Sequence, residues 1–497
     1  MNRLTDGQGC LIVVALLLAP GDVLATTYDV GPDQQYLRIG KVPWFKLKAG
    51  DTVNIHWREQ PYAEKVLVSS RGTKEKPIRI VGISGPGGEQ PVITGENATT
   101  GPNMHYRWSV PAYQQALAVV SVGYRKEGPK PGYLEFSNLM ITRGHAGNKF
   151  EAEDGSVQLY DRSSSGIHIY GAEHVTFAHM VLTENGNGLF AKSGGDETFV
   201  TRDISLLNSY IYNNGVRDSF RQHNVYTESD GVLIHGNRFG PLINGALGSI
   251  LKDRSAGTVI RYNWIPAAAR MLDLVEAEDG APVLVGLKSY RQTFVYGNVF
   301  FTSGTDANMT RPIHYGSDGT PANSRGGTLY FYHNTFVIVR NQTEGWKMFL
   351  FETSTERDSV AAINNLIYVG PRTPGERTID LVLNTGKGKV DYGANWVSPG
   401  WQTSFPGYAI SLISDTQNLV SPPDNRPGFV DPARNDFRLV PDGSATRGIE
   451  NLPSILGQND LDLDLRPLEY YTHSTTTLQR SAASPLSFGA LQTVMER

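Results

Sequence analysis

Lys252 and Arg254, in Ser249-Ile-Leu-Lys252-Asp-Arg254-Ser-Ala-Gly257, are residue types that can move a proton beside a carboxylate. So are His223, Tyr226 and Glu228, in His223-Asn-Val-Tyr226-Thr-Glu228-Ser-Asp-Gly231. A guanidinium holds a carboxylate in a two-pronged contact. A lysine crowded by a second cation gives up its proton more readily and then serves as a base. A phenol or imidazole nearby supplies a proton to a departing oxygen. Cleaving a uronate polymer by β-elimination needs these three things: a neutralised carboxylate that makes the α-proton acidic, a base for that proton, and an acid for the leaving oxygen. On an anionic polysaccharide, Arg254 could act as clamp, Lys252 as base and Tyr226 or His223 as acid.

Residues two apart on a strand share a face. Two cations cannot both point into an apolar core, so Lys252 and Arg254 should lie on an outer face. In Met271-Leu-Asp273-Leu-Val-Glu276 the leucines would fill the core, and Asp273 would point out beside the cations. Ile313-His314-Tyr315 and Leu350-Phe-Glu352 continue the stripe on one side; Phe190-Ala-Lys192 and Ile167-His168-Ile169-Tyr170 continue it on the other. Glu228, Asp273, His314, Tyr315 and Lys192 are the expected substrate contacts.

Other readings compete. Lys252 and Arg254 can simply pair with Glu228 and Asp273 in a surface ion-pair ladder. A glycoside hydrolase or epimerase would need two acids across a groove, for which Asp273 with Glu228 or Glu276 is the available pair. A non-catalytic carbohydrate-binding surface protein would show aromatic platforms without an acid and base. Asp273, Glu276, Glu278 and Asp279 offer the oxygens that calcium wants, against the plainer reading of a solvated acidic loop.

The elements that must position these residues appear as a repeat. Short β-branched and aromatic runs end in a polar residue and a second apolar pair at Asn138, His179, Asn208, Asn237, Asn263, Asn298, Asn334 and Asn365. The steps are 41, 29, 29, 26, 35, 36 and 31 residues. Strands this short cannot bury a face alone, but stacked as coils they share a continuous core. An Asn at the same turn of each coil can bond the next Asn about 4.8 Å away. Aligned on that ladder, Tyr226 should neighbour Lys252 and Glu228 should neighbour Arg254. The fold class is all-β, a right-handed parallel β-helix over residues 26–420 with an N-terminal cap, followed by an irregular tail over 421–497.

The whole chain has 497 residues, 45 Lys+Arg against 49 Asp+Glu, and one cysteine. One cysteine forms no intramolecular bridge, and a net charge of -4 is unlike a nucleic-acid binder that neutralises phosphates. Arg3, the apolar run from Cys10 to Ala19 and Val23-Leu-Ala25 read as a secretory signal peptide over residues 1–25, implying a secreted or periplasmic protein. No later stretch approaches the roughly 20 apolar residues of a transmembrane helix.

On these repeats the chain resembles the right-handed parallel β-helix proteins of the pectate-lyase-like superfamily, many of them secreted polysaccharide lyases. Leu47-Lys-Ala-Gly50-Asp51 through Pro91-Val-Ile-Thr-Gly95 resembles the opening coils and N-terminal cap, and Gly428-Phe-Val-Asp431-Pro through Asp436-Phe-Arg-Leu resembles the tail. The resemblance implies a fold strongly and a reaction weakly. Leu251-Lys252-Asp253-Arg254-Ser255 followed by Asn263 is similar to the lysine strand of alginate-type lyases. Those enzymes carry Arg-His-Gly on the following coil, where this chain has Leu272-Asp273-Leu274, with Arg270 the nearest arginine.

Overall fold

The computed structural model describes residues 25–106, 112–123, 128–303, 310–344, 347–409, 412–446, 451–452, 461, 463–472, 475–480, 487–491 and 493. Cys10 and nearly all of the expected leader lie outside these residues.

Alternating burial along short runs such as Gly132–Ser137 turns one side of each strand inward and the other out. One coil shows the plan. Ser249–Asp253, Ala256–Arg261 and Trp264–Pro266 are three strands joined by two-residue corners, too short for any intervening helix. Each strand pairs in parallel with its equivalents in the coils before and after. The result is three long sheets of 13, 10 and 11 strands wound as a right-handed parallel β-helix, whose strands run from Thr27 to Val420. Inside, like residues stack on like: Phe136 lies 4.9 Å from Phe177, and Phe300 lies 5.0 Å from Phe336.

The Asn ladder forms, and its register differs from expectation in the first coils. Asn237, Asn263, Asn298, Asn334, Asn365 and then Asn395 stack through the core side of one corner. In the first five, both the backbone N–H and the side-chain Nδ2 donate to the next residue's Oδ1 at 2.8–3.1 Å, and Asn395 closes the series as acceptor. Asn138, His179 and Asn208 stand one residue earlier in the coil, beside Gly236 and Gly297 in register. They adopt left-handed φ values of 57°, 55° and 48° at the corner itself. The ladder position in those coils belongs to Leu139, Met180 and Ser209, and Ser209 begins the polar chain by donating its N–H to Asn237 Oδ1. Asn serves both places, because its short amide tolerates the left-handed region and also bonds along the stack.

After the last coil, two hairpins, Phe429–Asp431 with Asp436–Leu439 and Glu469–Thr472 with Thr476–Gln479, fold back on the stack. Phe437 stacks on Trp264, and Tyr332 donates to the Leu465 carbonyl at 2.6 Å. Among the described residues no helix is long and apolar enough to cross a membrane.

Candidate functional site

The ten-stranded sheet carries the expected stripe on its outer face. Register places His168 beside Phe190, Phe190 beside Tyr226, Tyr226 beside Lys252, Lys252 beside Asp273, Asp273 beside His314 and His314 beside Glu352, on seven successive coils. Leu251, Leu272 and Leu274 alternate with these residues and enter the core, as period two requires.

Lys252 and Arg254 point outward yet are covered, with side chains 10% and 9% exposed. Lys252 Nζ donates to Asp273 Oδ2 at 2.7 Å and to Asp318. Arg254 is saturated: Nε donates to the Tyr226 hydroxyl at 2.8 Å, Nη2 to Asp318 Oδ1 at 3.2 Å, and Nη1 to the Glu276 carbonyl. Glu276 and Glu278 carboxylates lie 3.5 and 3.4 Å from the same guanidinium. Burial would lift the carboxyl of Asp318, but the charges of Lys252 and Arg254 outweigh it and hold that carboxyl below the usual range. For Asp273 burial likewise pushes upward, and the His314 hydrogen bond with the charges of Lys252, His314 and Arg270 pulls it well below. Part of the ion-pair reading is therefore realised through Lys252 and Asp273, though at a buried site.

Tyr226 stacks on Phe190 with ring centroids 4.7 Å apart, and burial raises its phenol even against the Arg254 charge. It is a protonated hydroxyl at neutral pH, and its proton points toward Glu278 at 3.4 Å. His223 is fixed in one tautomer. Its Nδ1 accepts the Ser249 N–H at 2.9 Å, so a neutral ring carries its proton on Nε2. Burial, then the Lys252 charge, lowers this imidazole to about 3. His223, buried beside Tyr226, is thus a neutral donor through Nε2.

Glu228 sits beside Arg254 in sequence register but makes no ion pair with it among the described residues. Its carboxylate turns to the next corner and accepts the N–H groups of Glu278 (2.6 Å) and Gly280 (3.0 Å). Burial pushes it up to about 7 despite those two bonds. Tyr315 departs from expectation. It follows His314, which faces out, so it faces in, and it is fully buried among core residues. No groove ligand reaches it. His314 bonds Asp273 through Nδ1 at 2.7 Å and Ser354 Oγ through Nε2 at 2.9 Å. Lys192 pairs with Asp279 at 2.8 Å on the rim of a cavity of about 480 Å³, which His168, Tyr170 and Phe190 also line.

The four carboxylates nominated for calcium are dispersed. Asp273 serves Lys252, Arg270 and His314; Glu276 accepts the N–H groups of Asp318, Gly319 and Thr320; Glu278 faces Arg254; Asp279 faces Lys192. Among the described residues no group of three or more His, Cys, Asp or Glu is arranged to hold a metal ion. The acids proposed for a hydrolytic pair, Asp273 with Glu228 or Glu276, are all buried and engaged in the bonds given above.

Sequence reasoning missed Asp318, on the Gly316-Ser-Asp-Gly319 turn that directly follows the His314 strand, and the part played by Arg270. Arg270 bonds Asp273 Oδ1 at 2.7 Å and Glu352 Oε2 at 2.9 Å, so the nearest arginine does reach the stripe. It also missed Arg325. Wholly buried, Arg325 pairs with Asp253 at 2.5 Å and bonds the carbonyls of Asp253, Ser255 and Val275, tying the loop that carries Asp318 to the two preceding coils.

No family model matches the chain, and no curated protein matches it. Among solved structures it is similar to an alginate lyase from Paenibacillus sp. str. FPU-7, at 13% identity and a TM-score of 0.46 over 72% of this chain and 99% of that one. It is also similar to DFA-IIIase from Arthrobacter chlorophenolicus A6 in complex with GF2, at 13% identity and a TM-score of 0.43 over 74% and 88%. A rhamnogalacturonan lyase gives 14% identity and a TM-score of 0.39 over 80% and 87%. Identities this low assign no reaction to the chain.

Proposed function

We propose that this protein is an exported carbohydrate-active enzyme, a polysaccharide lyase that cleaves a uronate-containing glycan by β-elimination along the outer face of the ten-stranded sheet. The observation that carries this reading is the convergence of a protonated phenol, an ammonium and a guanidinium from two adjacent coils, with an exposed carboxylate as their outer cover.

Arg254 and Lys252 receive the uronate carboxylate, and Arg254 remains the cation that draws charge from it as the α-carbon loses its proton. Lys252, a cation in its resting ion pairs, first releases one proton to solvent; its amine then takes the α-proton, the bond from the β-carbon to the glycosidic oxygen breaks, and a carbon–carbon double bond forms. Tyr226, which keeps its proton at neutral pH, donates it to the leaving oxygen. His223 offers its Nε2–H to the sugar as a fixed donor. Phe190 and Tyr226 form the aromatic floor, and Lys192 stands two coils along the same groove for a second anionic residue. A polymer of this kind does not cross a bilayer, which agrees with export by the leader expected at residues 1–25.

The test is a panel of pectate, alginate, glycosaminoglycans and bacterial exopolysaccharides, read by the ultraviolet absorbance of an unsaturated uronate. Reducing ends without that absorbance would replace elimination by hydrolysis. If a panel substrate is cleaved and Lys252→Ala leaves the rate intact, the base is another residue.

A further inference from the structure

Two cations at the centre of an anion-binding groove would be expected to face open solvent, yet Lys252 and Arg254 are both about nine-tenths covered. Their inner sides are closed by buried groups: Asp273, 5% exposed, on Lys252, and the Glu276 carbonyl on Arg254. One side chain covers the outer side of both, with Glu278 flanking Arg254 alone. Asp318 places Oδ2 on Lys252 and Oδ1 on Arg254, one carboxylate oxygen per cation, while remaining 28% exposed itself. That is the contact a uronate carboxylate would make on the same pair.

We propose that the Lys252–Arg254 pair is a carboxylate-recognition subsite whose resting occupant is the chain's own Asp318, which a uronate carboxylate displaces. The proposal rests on the lyase reading above and specifies what the site must release before it works.

Exchange of one carboxylate for another leaves the local charge unchanged, so the desolvated cations never stand unpaired. Lys252 keeps Asp273, and Arg254 keeps Glu276 and Glu278 throughout. The displacement needs no loop opening. The N–H groups of Asp318 (2.9 Å), Gly319 (2.9 Å) and Thr320 are held by Glu276, and Arg325 anchors the far end of the loop in the core, so the backbone stays while the Asp318 side chain rotates toward solvent. The groove repeats the device: Lys192, two coils away, carries Asp279, whose side chain is 52% exposed, at 2.8 Å. A carboxylate that must leave also selects. Neutral sugars bring nothing to replace it, so the subsite admits uronates and rejects neutral residues of the same shape.

The experiment measures binding of glucuronate and of glucose by calorimetry to the full-length protein and to Asp318→Ala, Asp318→Asn and Lys252→Ala/Asp318→Ala. Asp318→Ala is expected to bind glucuronate about tenfold more tightly than the parent, with the gain shrinking at high salt, no gain for glucose, and the gain absent from the double variant. Asp318→Asn keeps the backbone and the side-chain volume, so it decides the matter if the alanine variant melts early. On a cleaved polymer, KM falls for both single variants. Unchanged glucuronate binding in both single variants overturns the proposal, as does a collapse of kcat at constant KM, which would make Asp318 part of the reaction. Tighter glucuronate binding with no polymer cleaved keeps the carboxylate subsite and removes the lyase reading; cleavage without tighter binding does the reverse.

Discussion

Two columns of side chains climb this β-helix at the same rise per coil, and they are built on opposite rules. At the corner, Asn237, Asn263, Asn298, Asn334 and Asn365 repeat one residue and one bonding pattern, each amide satisfied by the coil above and a carbonyl of the coil below, and Asn395 ends the column. On the outer sheet face, His168, Phe190, Tyr226, Lys252, Asp273, His314 and Glu352 occupy equivalent places and no two neighbours are alike. Their bonds also run sideways, into the corners and loops at 276–280, 316–320 and 354. Stacking rewards repetition, because a residue that bonds its own kind satisfies every coil at once. A column that abandons repetition inside a repeating fold is held by something other than the stack, and here that is a network of alternating charge.

The widest separation of the two columns is expected from Lys252→Ala. Removing the base should lower kcat/KM on a cleaved uronate polymer about a thousandfold, near 4 kcal/mol of barrier, while the protein remains folded. Asn298→Ala should do the opposite. It strips the acceptor from the Asn263 backbone N–H and leaves that buried donor unpaired, while Asn263 Nδ2 keeps the Ile234 and Arg261 carbonyls, costing about 2 kcal/mol in denaturant unfolding, with activity per folded molecule unchanged. A ladder variant that loses activity without losing stability would erase the distinction.

Tyr226→Phe tests the acid. It keeps the stack on Phe190 and loses one bond from Arg254, so stability should move by about 1 kcal/mol while the rate on poor leaving groups falls about a hundredfold. A smaller effect comes with pH. His168, His223 and His333 are each lowered to about 3, by burial first and then by Lys192, Lys252 and Arg480 respectively. The unfolded chain takes up protons below about 6.5 and the folded chain does not, so stability is full above that pH and is lost progressively down to about 3. His168→Phe, at a ring whose two nitrogens have no hydrogen-bond partner among the described residues, should flatten part of that slope in chemical unfolding at successive pH values. The smallest change is expected at Arg79, whose pair with Glu135 is exposed on both sides. Arg79→Ala should shift stability by less than about 0.5 kcal/mol and leave the rate untouched.

Much of this was legible in the chain because both columns obey local periods. The Tyr226–Lys252 neighbour follows from the 26-residue step between Asn237 and Asn263, and the outward side of Asp273 follows from strand alternation between Leu272 and Leu274. Where the step is interrupted, legibility ends. The first three ladder positions were read one residue early because Asn and His suit the left-handed corner as well as Asn suits the stack. Tyr315 was placed in the groove although period two, applied from His314, turns it inward. Asp318 and Arg325 lie on a loop inserted between coils, whose length carries no register, so nothing in the order of residues says that one covers Lys252 and the other pairs with Asp253.

What the amino-acid sequence by itself determined is the stack: apolar alternation and the recurring Asn specify coils, and coils specify which residues share an outer face, because both depend on separations of a few residues or one turn. What only the tertiary structure decided is the state of the charges on that face. Burial and pairing depend on which distant loop folds over which cation, and the presence of Asp318 over Lys252 and Arg254, instead of water, is a property of three-dimensional contact between residues more than 60 positions apart.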